Sequence, residues 1–96
     1  MRFVYATETI ASTEDGRRDV AVHVLSLPFA KLVWEVDTGE VLHIGVNADH
    51  RRQGVATALW NEAQRYGAIR HSAYRTDDGD AFAHAVGGVL PRRIRM

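Results

Sequence analysis

Val46-Asn47-Ala48-Asp49-His50-Arg51-Arg52-Gln53-Gly54-Val55-Ala56-Thr57-Ala58-Leu59 decides how this 96-residue chain is read. The apolar run Val41 to Val46 ends as a β-strand, a polar and basic turn comes next, and Val55, Leu59, Ala63 and Tyr66 then recur at helical spacing. Strand, turn and amphipathic helix succeed one another, and the helix opens on Gly54. The orphan N–H groups of a first helical turn point outward and carry roughly half a positive charge from the aligned peptide dipoles. Gly54 has no Cβ to block a close approach to the backbone, and Ala56 adds little bulk. A phosphate fits such a site, with Arg51 and Arg52 adding charge at its rim.

The spacing separates this turn from other phosphate-binding loops. No Gly-x-Gly precedes the helix and no Gly-Lys-Ser/Thr is present, which excludes the dinucleotide fingerprint and the nucleoside-triphosphate loop. What stands here is Arg51-x-x-Gly54-x-Ala56 between a strand and a helix. It resembles the pyrophosphate-binding motif of the GNAT acyltransferase superfamily, Gln/Arg-x-x-Gly-x-Gly/Ala, and Val46, Arg51, Gly54, Ala56 and Leu59 match that family's wider pattern. The segment from Arg70 to Gly88 also resembles that of small GNAT-like proteins of actinobacteria and their phages.

Composition fits a globular chain: 46% hydrophobic and 25% charged residues, with formal net charge zero. The charge is unevenly spread. Residues 1–48 hold four basic against seven acidic side chains, whereas residues 49–96 hold eight arginines against five acids, so the basic half contains the phosphate motif. The absence of cysteine excludes disulfides, thiolate metal sites and a cysteine nucleophile. No run approaches the roughly 20 apolar residues that span a bilayer, so the chain reads as cytoplasmic with no membrane association.

Read in order, residues 2 to about 10 form a β-rich segment, and Asp15-Gly16 marks a hairpin turn within Ser12 to Arg18. Val20 to Leu27, Lys31 to Val36 and Val41 to Val46 are the next three strands, their short connections implying an antiparallel meander. The fourth is apolar at nearly every position, as for a strand covered on both faces. The motif helix runs from about Gln53 to Tyr66 and stops at Gly67, and Ala68 to Tyr74 holds a short strand. Thr76 or Asp77 caps a second helix with an acidic first turn, a face of Ala81, Phe82, Ala85 and Val86, and a stop at Gly87-Gly88. Val89-Leu90 is a last short strand, and residues 91–96 form a basic tail.

The expectation is therefore a single α/β (α+β) domain over residues 1–96: a mostly antiparallel sheet of about four to six strands flanked by two helices. Residues 2–46 supply the strands, 47–67 the coenzyme-binding turn and helix, and 68–90 the short strand, second helix and last strand. The resemblance covers about residues 20 to 90 and implies a minimal, truncated GNAT fold. Family members normally carry two N-terminal helices that wall the acceptor site, and a seventh strand; here only a hairpin occupies the first position.

The resemblance implies acetyl-CoA as cosubstrate and direct transfer of its acetyl group to a primary amine, whose identity the sequence does not give. Backbone groups near Ile44 and Val46 would hold the pantetheine arm, and N–H groups around Arg51, Arg52, Gln53, Gly54, Val55, Ala56 and Thr57 the pyrophosphate. Acyl transfer needs a base for the ammonium proton and an acid for the leaving thiolate. Glu40, six residues before Val46, occupies the register of the base in the histone-acetylating branch, with Glu35 and Asp37 as alternatives. The family's acid is a tyrosine in the last helix; that register here gives Ala83 or His84, so His84 or Tyr74 would substitute.

Other constellations carry less. His23, His43, His50, His71 and His84 show no metal-ligand spacing, so no metal is expected. The arginines lack an aromatic-interleaved sheet signature or a reading helix, which argues against nucleic acid. Exposed sheet edges at the first hairpin and last strand favour a homodimer. The alternative function is a non-catalytic coenzyme A-binding or protein/nucleic-acid interaction module that keeps the same scaffold.

Overall fold

A computed structural model describes residues 2–11, 19–88 and 90–95. The expected hairpin turn at Asp15-Gly16 and one residue of the expected last strand, Val89, lie outside the described residues. Strands β1 (Val4–Ala11), β2 (Asp19–Leu27), β3 (Ala30–Glu35) and β4 (Val41–Val46) form one antiparallel sheet in the order β1-β2-β3-β4. This is the expected meander. Tyr5 lies opposite Leu25, Leu25 opposite Leu32, and Leu32 opposite Ile44, so one apolar row crosses the whole sheet.

That row is the floor on which helix α1 (Val55–Ala63) packs. Leu25, Leu27, Leu32, Trp34 and Val41 from the sheet meet Val55, Leu59, Trp60 and Ala63 from the helix in one buried core. The i, i+4, i+8 spacing of Val55, Leu59 and Ala63 places them on one helical face, so the sequence pattern and the packing coincide. Tyr66 departs from this stripe. The last turn tightens to a 3₁₀ geometry over Gln64–Tyr66, which rotates Tyr66 out of line and leaves it 41% exposed. There it stacks on Tyr5 of β1 at 4.1 Å.

The expectation that β4 is covered on both faces is corrected: Leu42 and His43 are exposed and Ile44 to Val46 only half-buried. The reason lies in the next segment. In place of a strand over Ala68 to Tyr74 there is one isolated parallel bridge, Glu40 to Arg70, after which the chain leaves β4. Tyr74–Arg75 (β5) pairs instead, in parallel, with Ile94–Arg95 (β6).

Helix α2 (Asp77–Val86) is capped by Thr76, whose Oγ1 accepts a hydrogen bond from the Gly79 N–H at 3.1 Å. Its inward residues are Phe82, Ala83 and Val86 rather than the Ala81 and Ala85 read from the sequence, which are exposed. Residues 91–95 also differ from a solvated tail. Arg93 donates through Nε and Nη2 to the Arg75 carbonyl at 3.1 and 3.0 Å and through Nη2 to Asp77 at 2.9 Å, and the Ile94 N–H meets the Ala73 carbonyl at 2.7 Å. The acidic first turn of α2 thus anchors a cation as well as complementing the helix dipole.

Candidate functional site

The site begins where β4 loses its neighbour. At the closed end, the Arg70 N–H donates to the Gly39 carbonyl and the Val41 N–H to the Arg70 carbonyl, both at 2.9 Å. Among the described residues no further backbone bond joins β4 to the segment after Arg70, so the two chains splay and leave β4 with free hydrogen-bonding groups along one edge. Between them opens a cleft of about 810 Å³, within the range that holds a cofactor-sized ligand. Ile44 and Val46 form one wall, His71 and Tyr74 the other, and Trp60 lies at its base.

Near the closed end the β3–β4 register slips. Trp34 pairs with Val41 and Val33 with His43, leaving Leu42 as an extra residue on β4. A bulge of this kind withdraws backbone groups from the ladder and turns them toward whatever lies beside the strand.

At the open end lies the basic turn. Asn47 is tied to the β2–β3 turn by its N–H on the Phe29 carbonyl at 2.8 Å, and His50 stacks on the Phe29 ring at 4.0 Å. Arg52 then takes φ +61° and Gly54 φ +76°, both left-handed. For arginine that conformation is uncommon and costs of order 1 kcal/mol or more, the kind of local strain that clusters at ligand-binding turns. A Cβ on Gly54 would meet nothing within 4 Å, so in this structure the backbone angle, rather than crowding, calls for glycine. Having no side chain, Gly54 leaves the first N–H groups of α1 uncapped.

Most of the residues expected to hold the coenzyme are brought together. Val46, Arg51, Arg52, Gly54, Val55, Ala56 and Thr57 line a hollow of about 230 Å³ at the start of α1, and Ile44 continues the line into the larger cleft. Arg51 reaches back to donate from Nε to the Val46 carbonyl at 3.1 Å. Gln53 is turned away, its amide directed at the Asp49 carbonyl at 3.5 Å, and lines neither hollow.

The two residues expected to carry catalysis are not brought together. Glu40 sits at the closed end, outside the cleft lining; its N–H is held by Thr38 Oγ1 at 3.1 Å and its carbonyl accepts the Glu35 N–H at 2.9 Å. His84 is on the outer face of α2, 62% exposed, with Nε2 3.6 Å from Asp80 Oδ1, and also lies outside the lining. Tyr74 does border the cleft and is 55% exposed.

The sequence pattern gives His71 no role at the site. It is buried in the cleft wall, its ring flat on Trp60 at 4.0 Å with Phe82 edge-on at 6.3 Å, and its Nε2 lies 2.7 Å from the Gly87 carbonyl. Its pKa is lowered below 6.5, first by burial and then by the nearby charges of Arg75 and His84, against the opposing pull of the Gly87 carbonyl. No local pattern marks it, because its partners stand 11 and 16 residues away.

Among the described residues no group of three or more histidine or acidic side chains could hold a metal ion, and no helix is long and apolar enough to cross a membrane. A family model described as "Acetyltransferase (GNAT) family" matches residues 14–85. No curated protein and no solved structure matches the chain. The match takes in β2 to β4, the splayed cleft, the basic turn and nearly all of α2. The chain belongs to the GNAT acetyltransferase family.

Proposed function

We propose that this chain binds acetyl-CoA with its pyrophosphate at the start of α1 and its pantetheine arm along the free edge of β4, and passes the acetyl group directly to a primary amine. The observation that carries this reading is the continuity of the two hollows. An uncapped helix N-terminus with two arginines opens directly into a cleft walled by an unpaired strand edge. Such an arrangement suits a ligand that is anionic at one end and amide-bearing along its length. Bulging at Leu42 supports the chemistry, since backbone groups withdrawn from the ladder are available to polarise a thioester carbonyl.

Calorimetric titration with acetyl-CoA tests the coenzyme reading. Micromolar binding is expected for the native chain, and Gly54→Glu, which sets a carboxylate against the pyrophosphate, is expected to remove it. Undiminished affinity in that variant would place the ligand elsewhere.

The position of Glu40 and His84 outside the cleft favours a second reading, a coenzyme A-binding module without transfer activity. Thiol release from acetyl-CoA in the presence of excess amine separates the two. On the enzymatic reading, Glu40→Gln is expected to leave both turnover and affinity unchanged, because Glu40 is not among the residues that line the cleft. For assembly, we place a homodimer contact along β1, an edge strand whose eight residues are all exposed. Light scattering of the native chain against a lysine substitution at Thr7 tests that contact.

A further inference from the structure

The cleft wall opposite β4 carries an imidazole whose two nitrogens are in different situations. Nε2 of His71 faces the Gly87 carbonyl at 2.7 Å. A carbonyl only accepts, so Nε2 holds the proton and Nδ1 holds the lone pair. Among the described residues the sealed side-chain nitrogen without a partner is His50 Nδ1; His71 Nδ1 also makes no hydrogen bond but is not sealed, and its ring lines the cleft. Stacking on Trp60, with planes 2° apart, and the Phe82 edge fix the ring's orientation.

The place along the cleft is equally specific. Arg70 is bridged in parallel to Glu40, so the next residue, His71, comes level with Val41, one residue before the bulged Leu42 of β4. At roughly 3.3 Å per strand residue, Leu42 lies about 13 Å from Val46 at the mouth. An arm anchored at the basic turn and laid along β4 therefore brings its thioester end to the level of Leu42, toward the closed end of the cleft that Val41 and His71 also line. The charged and titratable groups around the ring are Tyr74, Arg75 and His84 on its own side, and His43, Arg51, Arg52 and Asp78 across or along the cleft.

We infer that His71 Nδ1 is the proton acceptor for the attacking amine, an inference that rests on the acetyl-CoA reading above. Nδ1 takes one proton from the acceptor's ammonium group. The freed nitrogen bonds to the thioester carbonyl carbon, the C–S bond breaks, and the departing thiolate takes a second proton from that nitrogen. His71 then gives its proton to water, so the products are an amide, the coenzyme thiol and one proton. Catalysis by a positioned base of this kind contributes about 10²- to 10⁴-fold.

The test combines binding, turnover and a direct view of the ring. His71→Gln preserves a donor toward Gly87. With excess methylamine as acceptor, it is expected to keep acetyl-CoA affinity within about twofold, lower kcat at least about 100-fold, and abolish the acidic limb of the kcat profile. In the native chain, the ¹⁵N resonance of His71 Nδ1 is expected to move on addition of acetyl-CoA and to stay put with adenosine 3′,5′-bisphosphate, which lacks the arm. That readout stands even where the variant folds poorly. Loss of acetyl-CoA binding in the native chain overturns the coenzyme reading itself. Binding with no thiol release, with turnover or an acidic limb indifferent to His71→Gln, or with an unmoved Nδ1, overturns the role of His71 and leaves the coenzyme reading standing.

Discussion

The His71 imidazole lies flat on the Trp60 indole, ring centroids 4.0 Å apart and planes 2° apart, and so joins the far wall of the cleft to helix α1. A charged imidazole in that position loses its hydration, and the Arg75 guanidinium repels it. The folded state therefore resists protonation more than the unfolded chain does. Above about pH 6.5 both states hold His71 neutral and the fold keeps its full stability. As pH falls below that value the unfolded chain takes up a proton first, and stability declines until the folded-state pKa is passed. Urea denaturation from pH 7.5 to 5 is expected to show this fall, and His71→Gln to flatten it; an equal slope in the variant would mean that other groups govern the acid side.

Gly54 separates conformation from space. Its φ of +76° penalises any L side chain by about 1–2 kcal/mol, yet the position of a Cβ is open. Gly54→Ala is accordingly expected to lower stability by about 1–2 kcal/mol with no repacking of the core. Because the methyl group would stand where the pyrophosphate meets the first N–H groups of α1, acetyl-CoA affinity is expected to fall about tenfold or more, an amount near 1.4 kcal/mol. Thermal melts and calorimetry on the same preparation check both parts.

The sheet and the motif were legible because their causes are local. Alternation in Val20 to Leu27, the strand ending at Val46 and the Val55, Leu59, Ala63 spacing each fix an element from a few adjacent residues. The chain beyond Tyr66 was less legible. Whether residues 68–75 continue the sheet or leave it depends on Arg75 and Arg93, partners 18 residues apart whose hydrogen bonds draw β5 toward β6 and away from β4. The same holds for the candidate catalytic side chains. Glu40 has the right register relative to Val46, but the register alone does not reveal that the bridge to Arg70 closes the cleft just inside it. His71 acquires its chemistry from Trp60 and Gly87, which sequence proximity does not connect.

Arg75 holds this second wall in place. Its guanidinium is nearly buried and donates to Asp80 Oδ1 at 3.0 Å, the Ser72 carbonyl at 2.7 Å and the Pro91 carbonyl at 3.0 Å. Removing it leaves two part-buried carbonyls without their donor and takes from Asp80 its nearest cation. Arg75→Ala is expected to cost about 3–5 kcal/mol, as for breaking a buried charged network from one side. Arg75→Lys should recover only a small part, because an ammonium does not reproduce the planar fork that reaches three acceptors. Equilibrium denaturation gives the magnitudes, and full recovery by lysine would show that charge alone suffices.

The closed end depends on Gly39. With φ +74°, it brings its carbonyl to the Arg70 N–H at 2.9 Å, and a Cβ there would lie 2.5 Å from the Ala68 carbonyl oxygen. That neighbour is backbone and cannot rotate aside, so the substitution has to separate the two chains. Gly39→Ala is expected to combine left-handed strain with overpacking, about 3 kcal/mol in all. Gly67, with φ +137° and nothing within 4 Å of a Cβ, provides the comparison, since Gly67→Ala carries strain without the collision. Amide hydrogen exchange adds the location. In Gly39→Ala the Val41 and Arg70 N–H groups, which bridge β4 to the far wall, should exchange markedly faster, while those of β2 and β3 change only with global stability. Protection at Val41 and Arg70 that falls no further than that of the central strands would mean that the closed end is held by the surrounding packing and not by this glycine.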